Sequence, residues 1–264
     1  MNPFLSLSID YASQRDYLDN LFPVYPIAPN SSRDVDSLIW RRVEEAFENR
    51  DDKALVNALL GLELFPVKDS FVSFFKRDKT ALDRNPATVN RVARHLYDLG
   101  LEEIHRLCSA GKESNRQIGP MFRNWIRNGG AGIAPVGMAD FITGNRDAVL
   151  DASDQEMMAF AREHLGYERK KGLDFVARVS GRYVIGEAKF LTDYGGHQNA
   201  QLNDALATLN ADVDAVKVAI LDGVCYIPGH AKMYSIITSA QYRDQNIMSA
   251  LVLHNFIESL SGSL

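Results

Sequence analysis

The chain reads as an α/β protein, a mixed central β-sheet flanked by helices with an N-terminal helical layer ahead of it. Three observations predict this. First, Leu173 to Phe190, LDFVARVSGRYVIGEAKF, holds two apolar runs rich in valine, isoleucine and aromatics, broken at Ser180-Gly181-Arg182. That is the pattern of a β-hairpin. Second, a helical stripe from about His197 to Asn210 leads into the buried-strand run AVKVAILDGVCYI, which makes a β–α–β crossover and a parallel pair. Third, the residues up to Gly111 carry apolar positions at helical spacing, with no internal repeat.

Length and composition set the frame. The 264 residues suffice for one large domain or two small ones, and 46% hydrophobic with 24% charged residues fits an ordinary globular chain. No apolar run approaches a membrane span, and the N-terminus lacks the basic and apolar regions of a signal peptide. Cys108 and Cys225 lie far apart in apolar settings and read as buried free thiols in a reducing cytoplasm. A net charge of −5 argues against a protein that coats nucleic acid, yet leaves room for a local basic cleft. Lys112 to Arg127 is one such basic stretch, and Arg169 to Lys189 is another.

In chain order, Ile9 to Leu21 reads as a short helix. The proline-rich FPVYPIAPNSS after it reads as extended or turning. This arm packs on the body, with dimerisation as a role, or forms a surface loop. Asp34 or Asp36 caps a helix to about Arg50, and a second covers Asp52 to Leu62. Phe71, Phe74 and Phe75 then recur at helical spacing and read as core. Pro86 opens and Gly100 closes a further helix, and LEEIHRLCSAG is the next.

The segment 112–132 is broken at Gly119-Pro120 and ends in glycines. It concentrates Arg116, Gln117, Arg123, Asn124, Arg127 and Asn128. Such side chains contact base edges and phosphates, which makes it a candidate DNA-contacting segment. It also reads as an amphipathic helix burying Met121, Phe122, Trp125 and Ile126. One or two short strands follow before Leu150, and Ser153 or Asp154 caps a helix ending at Gly166. Past the hairpin, Gln198 and Asn199 at a helix start can hold a phosphate or cap the helix, and His197 is a weaker candidate. The tail, 223–264, reads as a strand near Met233 to Thr238 and a helix from about Tyr242 to Leu260.

Charges set into the hairpin carry the chemistry. Asp174 opens the first strand, and Glu187 and Lys189 share one face near the end of the second. Buried charges are costly unless paired or bound to metal. If the strands pair, two carboxylates and an ammonium converge at one sheet end, a set suited to Mg²⁺ and phosphodiester hydrolysis.

Asp174 followed by Glu187-Ala188-Lys189 at the end of an apolar strand resembles the active site of the PD-(D/E)XK nucleases, with Leu173 where the family usually has proline. The same acid-x-Lys spacing at Asp51-Asp52-Lys53 and Glu168-Arg169-Lys170 lies in helix-like and loop-like contexts. The resemblance covers residues 154–222 as a nuclease core of restriction-endonuclease-like fold. It implies that Asp174, Glu187 and the Ala188 backbone carbonyl hold Mg²⁺ and that Lys189 orients a water or stabilises charge. In related nucleases a helix glutamate sometimes joins the metal shell, which points to Glu156 or Glu163. With residues 1–111 as arm and helical layer, the whole chain, 1–264, looks most like a type II restriction endonuclease. That implies double-stranded DNA as substrate, a homodimer on a palindromic site, and a cognate DNA methyltransferase as functional partner. A repair or junction nuclease of the same fold and a non-catalytic DNA-binding protein are the competing expectations.

Overall fold

Helix α1 (Pro3–Ala12) and helix α2 (Tyr17–Leu21) open the chain where one helix is expected, separated by a turn after Ser13. The computed structural model describes residues 1–26, 34–111, 117–229 and 232–262. It forms two compact units, Met1–Ile27 with Ser114–Leu264, and Ala28–Glu113. The N-terminal arm thus belongs with the sheet, and the stretch read as 1–111 is divided between the units. Leu5, Tyr17, Leu21, Val24 and Tyr25 are buried in the sheet's own core, which rules out a surface loop for these residues.

The second unit is helical: α3 (Ser37–Glu48), α4 (Asp52–Leu59), α5 (Ser70–Arg77), α6 (Ala81–Arg84), α7 (Pro86–Leu99) and α8 (Leu101–Cys108). Asp36 caps α3 through the backbone N–H groups of Leu38 and Ile39. Its core gathers Val43, Leu55, Leu59, Phe75, Val92, Leu96 and Ile104. The phenylalanine stripe corrects the sequence reading. Val72 and Phe75 face this core, whereas Phe71 and Phe74 are 60% and 57% exposed. Moving one position around so short a helix carries a side chain out of the core. The Phe71 ring instead lies under the Arg91 guanidinium, 5.6 Å from it.

In the first unit, α9 (Ile118–Arg127) precedes strand β1 (Pro135–Val136), helix α10 (Met138–Thr143) and strand β2 (Ala148–Leu150). Gly119-Pro120 does not break α9. Proline sits in its first turn, where its missing N–H costs nothing. Helix α10 is unexpected, because six residues with only Phe141 buried show no period. Then come α11 (Asp154–Leu165), β3 (Phe175–Val179), β4 (Arg182–Leu191), α12 (Gly196–Leu209), β5 (Val216–Gly223), α13 (Lys232–Ile237), β6 (Ile247–Met248) and α14 (Ala250–Ser261). The strand expected near Met233 is helix α13. Met233 and Ile237 are buried four residues apart, which is helical spacing. Helix α14 starts at Ala250, later than Tyr242, and packs on α1, β3, β5 and β6.

The six strands run in sequence order, β1 to β6. The pairs β2–β3 and β3–β4 are antiparallel; β1–β2, β4–β5 and β5–β6 are parallel. The sheet is therefore mixed, with the hairpin at its centre and α12 as the crossover. Both cysteines are buried free thiols. Among the described residues, no helix is long and apolar enough to cross a membrane.

Candidate active site

The hairpin turn sets the register on which the site depends. Ser180 and Gly181 both have positive φ, 48° and 73°, the two-residue turn that matches the twist of paired strands. Phe175 then pairs with Gly186, and the Asp174 N–H donates to the Gly186 carbonyl at 3.1 Å. A Cβ at Gly186 would lie 2.7 Å from Val218 Cγ1, so glycine there lets β4 and β5 close up. Asp174 is thereby set beside the end of β4.

Three oxygens converge on one cation. Lys189 Nζ donates to Asp174 Oδ2 at 2.6 Å, to Glu187 Oε2 at 2.6 Å and to the Ala188 carbonyl at 3.0 Å. The Ala188 N–H donates to Asp174 Oδ2 as well, at 3.0 Å. The Glu187 side chain is 1% exposed, and its Oε1 is buried with no hydrogen-bond partner among the described residues. Burial pushes the Glu187 carboxyl up to about 7; the Lys189 charge opposes the shift and the Asp174 charge adds to it. Burial alone would lower the Lys189 ammonium, but the two carboxylates outweigh it and hold its pKa above the ordinary value. With both carboxylates ionised the cluster carries one negative charge in excess of the ammonium, and a proton on Glu187 neutralises it.

This donor set fits a hard divalent cation. Two carboxylate oxygens and a carbonyl oxygen already surround a point occupied by positive charge, and Glu187 Oε1 is a buried acceptor without a donor. Among the described residues no group of three His, Cys, Asp or Glu side chains could hold a metal, so any ion here would rely on the carbonyl and on water.

A cleft of about 340 Å³ opens beside the cluster. Asp174, Ala188, Lys189 and Phe190 line it, as do Ile118 and Gly119 of α9, Lys171, and His197, Gln201 and Asp204 of α12. Phe190 is stacked on the Tyr25 ring, with centroids 5.0 Å apart. The Tyr25 hydroxyl donates to Asp222 Oδ2 at 2.8 Å. Asp222 is fully buried on β5 opposite Phe190. It accepts from Ser249 Oγ at 2.5 Å, the Ala250 N–H at 3.3 Å and Tyr17 OH at 3.4 Å. Sequence reading missed Asp222, although the signal that marked Glu187, a charge inside an apolar strand, was there in AVKVAILDGV.

The other anticipated residues are placed as follows. Arg116 lies outside the described residues. Gln117 is the N-cap of α9, whose buried side is Ile118, Phe122 and Ile126; Met121 and Trp125 are only partly covered. Arg123 pairs with Asp154, and Arg127 pairs with Asp151 at 2.6 Å. Asn124 and Asn128 are exposed. Glu156 closes a capping box with Ser153, which engages its carboxylate, and Glu163 is exposed on α11. Gln198 is buried and holds Thr192, while Asn199 donates to the Tyr194 and Gly195 carbonyls. Both amides at the start of α12 are therefore committed locally. Neither lines the cleft; Gln201, Lys171 and Asp204, which the sequence reading passed over, do.

The two other acid-x-Lys sites are local. Asp51 caps α4, Lys53 pairs with Asp83, and Arg169 donates to Thr208 Oγ1 at 2.8 Å. Among curated proteins and among solved structures, no match is found. The family model of the Tsp45I type II restriction enzyme matches residues 2–260, nearly the whole chain. The hairpin cluster thus sits in a matching whole-chain frame, which favours neither the repair-nuclease nor the non-catalytic expectation. The chain belongs to the Tsp45I type II restriction enzyme family and is a sequence-specific restriction endonuclease with an α/β fold.

Proposed function

We propose that Asp174, Glu187 and Lys189 form a PD-(D/E)XK active site that hydrolyses phosphodiester bonds of double-stranded DNA with Mg²⁺. The observation that carries this reading is the convergence of Asp174 Oδ2, Glu187 Oε2 and the Ala188 carbonyl on one cationic point. Those three groups would hold the ion, which when bound polarises the phosphate and acidifies a water. Asp174 is anchored by the Ala188 N–H, so its carboxylate needs little reorganisation. Lys189, freed from one or both carboxylates, holds the attacking water or offsets charge on the phosphate oxygens.

A restriction enzyme that reads a palindromic site matches symmetry with symmetry, so a homodimer is the proposed working form. A cognate DNA methyltransferase is the proposed functional partner, and the cytoplasm the proposed location. Substitution of Asp174, Glu187 or Lys189 by alanine tests the active site. Each purified variant should keep its circular dichroism spectrum and lose plasmid cleavage in Mg²⁺; full cleavage by all three would remove these residues from the mechanism.

A further inference from the structure

We infer that Lys171, His197 and Gln201 form the wall that holds DNA phosphate beside the scissile bond. The inference rests on the active-site reading above and adds its substrate-contacting side. His197, Gln201 and Asp204 stand at i, i+4 and i+7 on α12, so they form one stripe, and all three line the cleft that Asp174 and Lys189 enter. On the proposed reading the ion and Lys189 would engage one side of the scissile phosphate, and donors to its other oxygens come from elsewhere in the cleft. This stripe and Lys171 supply them.

Lys171 pairs with Asp204, which holds its ammonium over the cleft. The pair is partly exposed, at 34% and 47%, so it costs little to loosen. An ammonium has three protons, and one partner leaves capacity for a phosphate oxygen. The Gln201 amide nitrogen lies 3.1 Å from His197 Nε2. That contact uses one ring nitrogen and one amide group, so the ring's Nδ1 and the second amide hydrogen are not consumed by it. Gln198 and Asn199, one and two positions further round the helix from His197, are engaged with Thr192, Tyr194 and Gly195, which leaves the cleft to this stripe.

The test uses the full-length enzyme with Lys171→Ala, Lys171→Arg, His197→Ala and Gln201→Ala. Binding of a fluorescent duplex containing a mapped cleavage site is measured in Ca²⁺ over a range of KCl, beside single-turnover cleavage in Mg²⁺. Lys171→Ala should lower the slope of log affinity against log salt by about one, and Lys171→Arg should restore it. His197→Ala and Gln201→Ala should each weaken half-saturation in the cleavage assay by about tenfold, the loss of one or two phosphate hydrogen bonds. Unchanged salt slope, half-saturation and cleavage rate in all the alanine variants would overturn the inference. Asp174→Ala is run in parallel. If it cleaves normally, the active-site reading itself fails. If it is inactive while the wall variants match the parent, only the wall is refuted.

Discussion

Lys189 Nζ stands 2.6 Å from both Glu187 Oε2 and Asp174 Oδ2. On the proposed active-site reading those two carboxylates would also hold the divalent ion, so the ammonium would compete with it. Lys189→Met removes the competitor and leaves two carboxylates unbalanced, a loss on the order of 3 kcal/mol in metal-free protein. Thermal unfolding should show a lower Tm in EDTA, and added Mg²⁺ should raise Tm more in the variant than in the parent. Equal Mg²⁺ responses would show that the lysine does not obstruct the site.

Asp222 predicts a pH dependence of stability. Burial lifts its carboxyl to about 7, against the pull of hydrogen bonds from Ser249, Tyr25, Ala250 and Tyr17. An unfolded aspartate releases its proton near 4. Between these values the folded chain binds the extra proton, so stability falls as pH rises from about 4 to about 7 and levels off above. The change amounts to a few kcal/mol. Urea unfolding at several pH values should show this slope, and Asp222→Asn should reduce it, leaving the share of Glu187, whose carboxyl burial likewise raises to about 7.

Tyr25 joins the N-terminal arm to strands β4 and β5 through two contacts that can be separated, the Phe190 stack and the Asp222 hydrogen bond. Tyr25→Phe keeps the stack on Phe190 and removes the hydrogen bond to Asp222. It should cost about 1–3 kcal/mol in urea unfolding with cleavage retained. Tyr25→Ala removes both contacts, leaves Phe190 unsupported next to Lys189, and should also slow single-turnover cleavage. Full activity in Tyr25→Ala would sever the arm from the site.

Exposed Asn124 and Asn128 on and after α9 are candidates for base contact, as is Arg127, whose pair with Asp151 is as exposed as that of Lys171 with Asp204. A lost bidentate base contact costs about 1–3 kcal/mol at one base pair. Asn124→Ala and Asn128→Ala should therefore slow cleavage of the cognate site and narrow the gap to single-mismatch sites. An equal slowing at every site would assign them to phosphate instead.

Much of this was legible along the chain. Valine and isoleucine runs around Ser180-Gly181 announce the hairpin, and three charges set into it mark the candidate site. These signals are local: strand pairing follows from a two-residue turn, and an ionised group in an apolar strand has few places to go. Caps such as Asp36, Ser153 and Pro86 are equally local. Sequence alone therefore determined the α/β class and the crossover after the hairpin, and it singled out Asp174, Glu187 and Lys189, which the fold brings into contact.

Chain folding decided what depends on distant neighbours. Phe71 and Phe74 turned outward because the helical core lies on the other side of α5. Gln198 and Asn199 were taken up by Thr192, Tyr194 and Gly195, so the cleft received His197, Gln201 and Asp204 instead. The arm joined the sheet because Tyr17 and Tyr25 find Asp222 about two hundred residues away. A side chain's direction around a helix, and the partner that consumes its hydrogen bonds, are set by packing across the fold, which no spacing along the chain encodes.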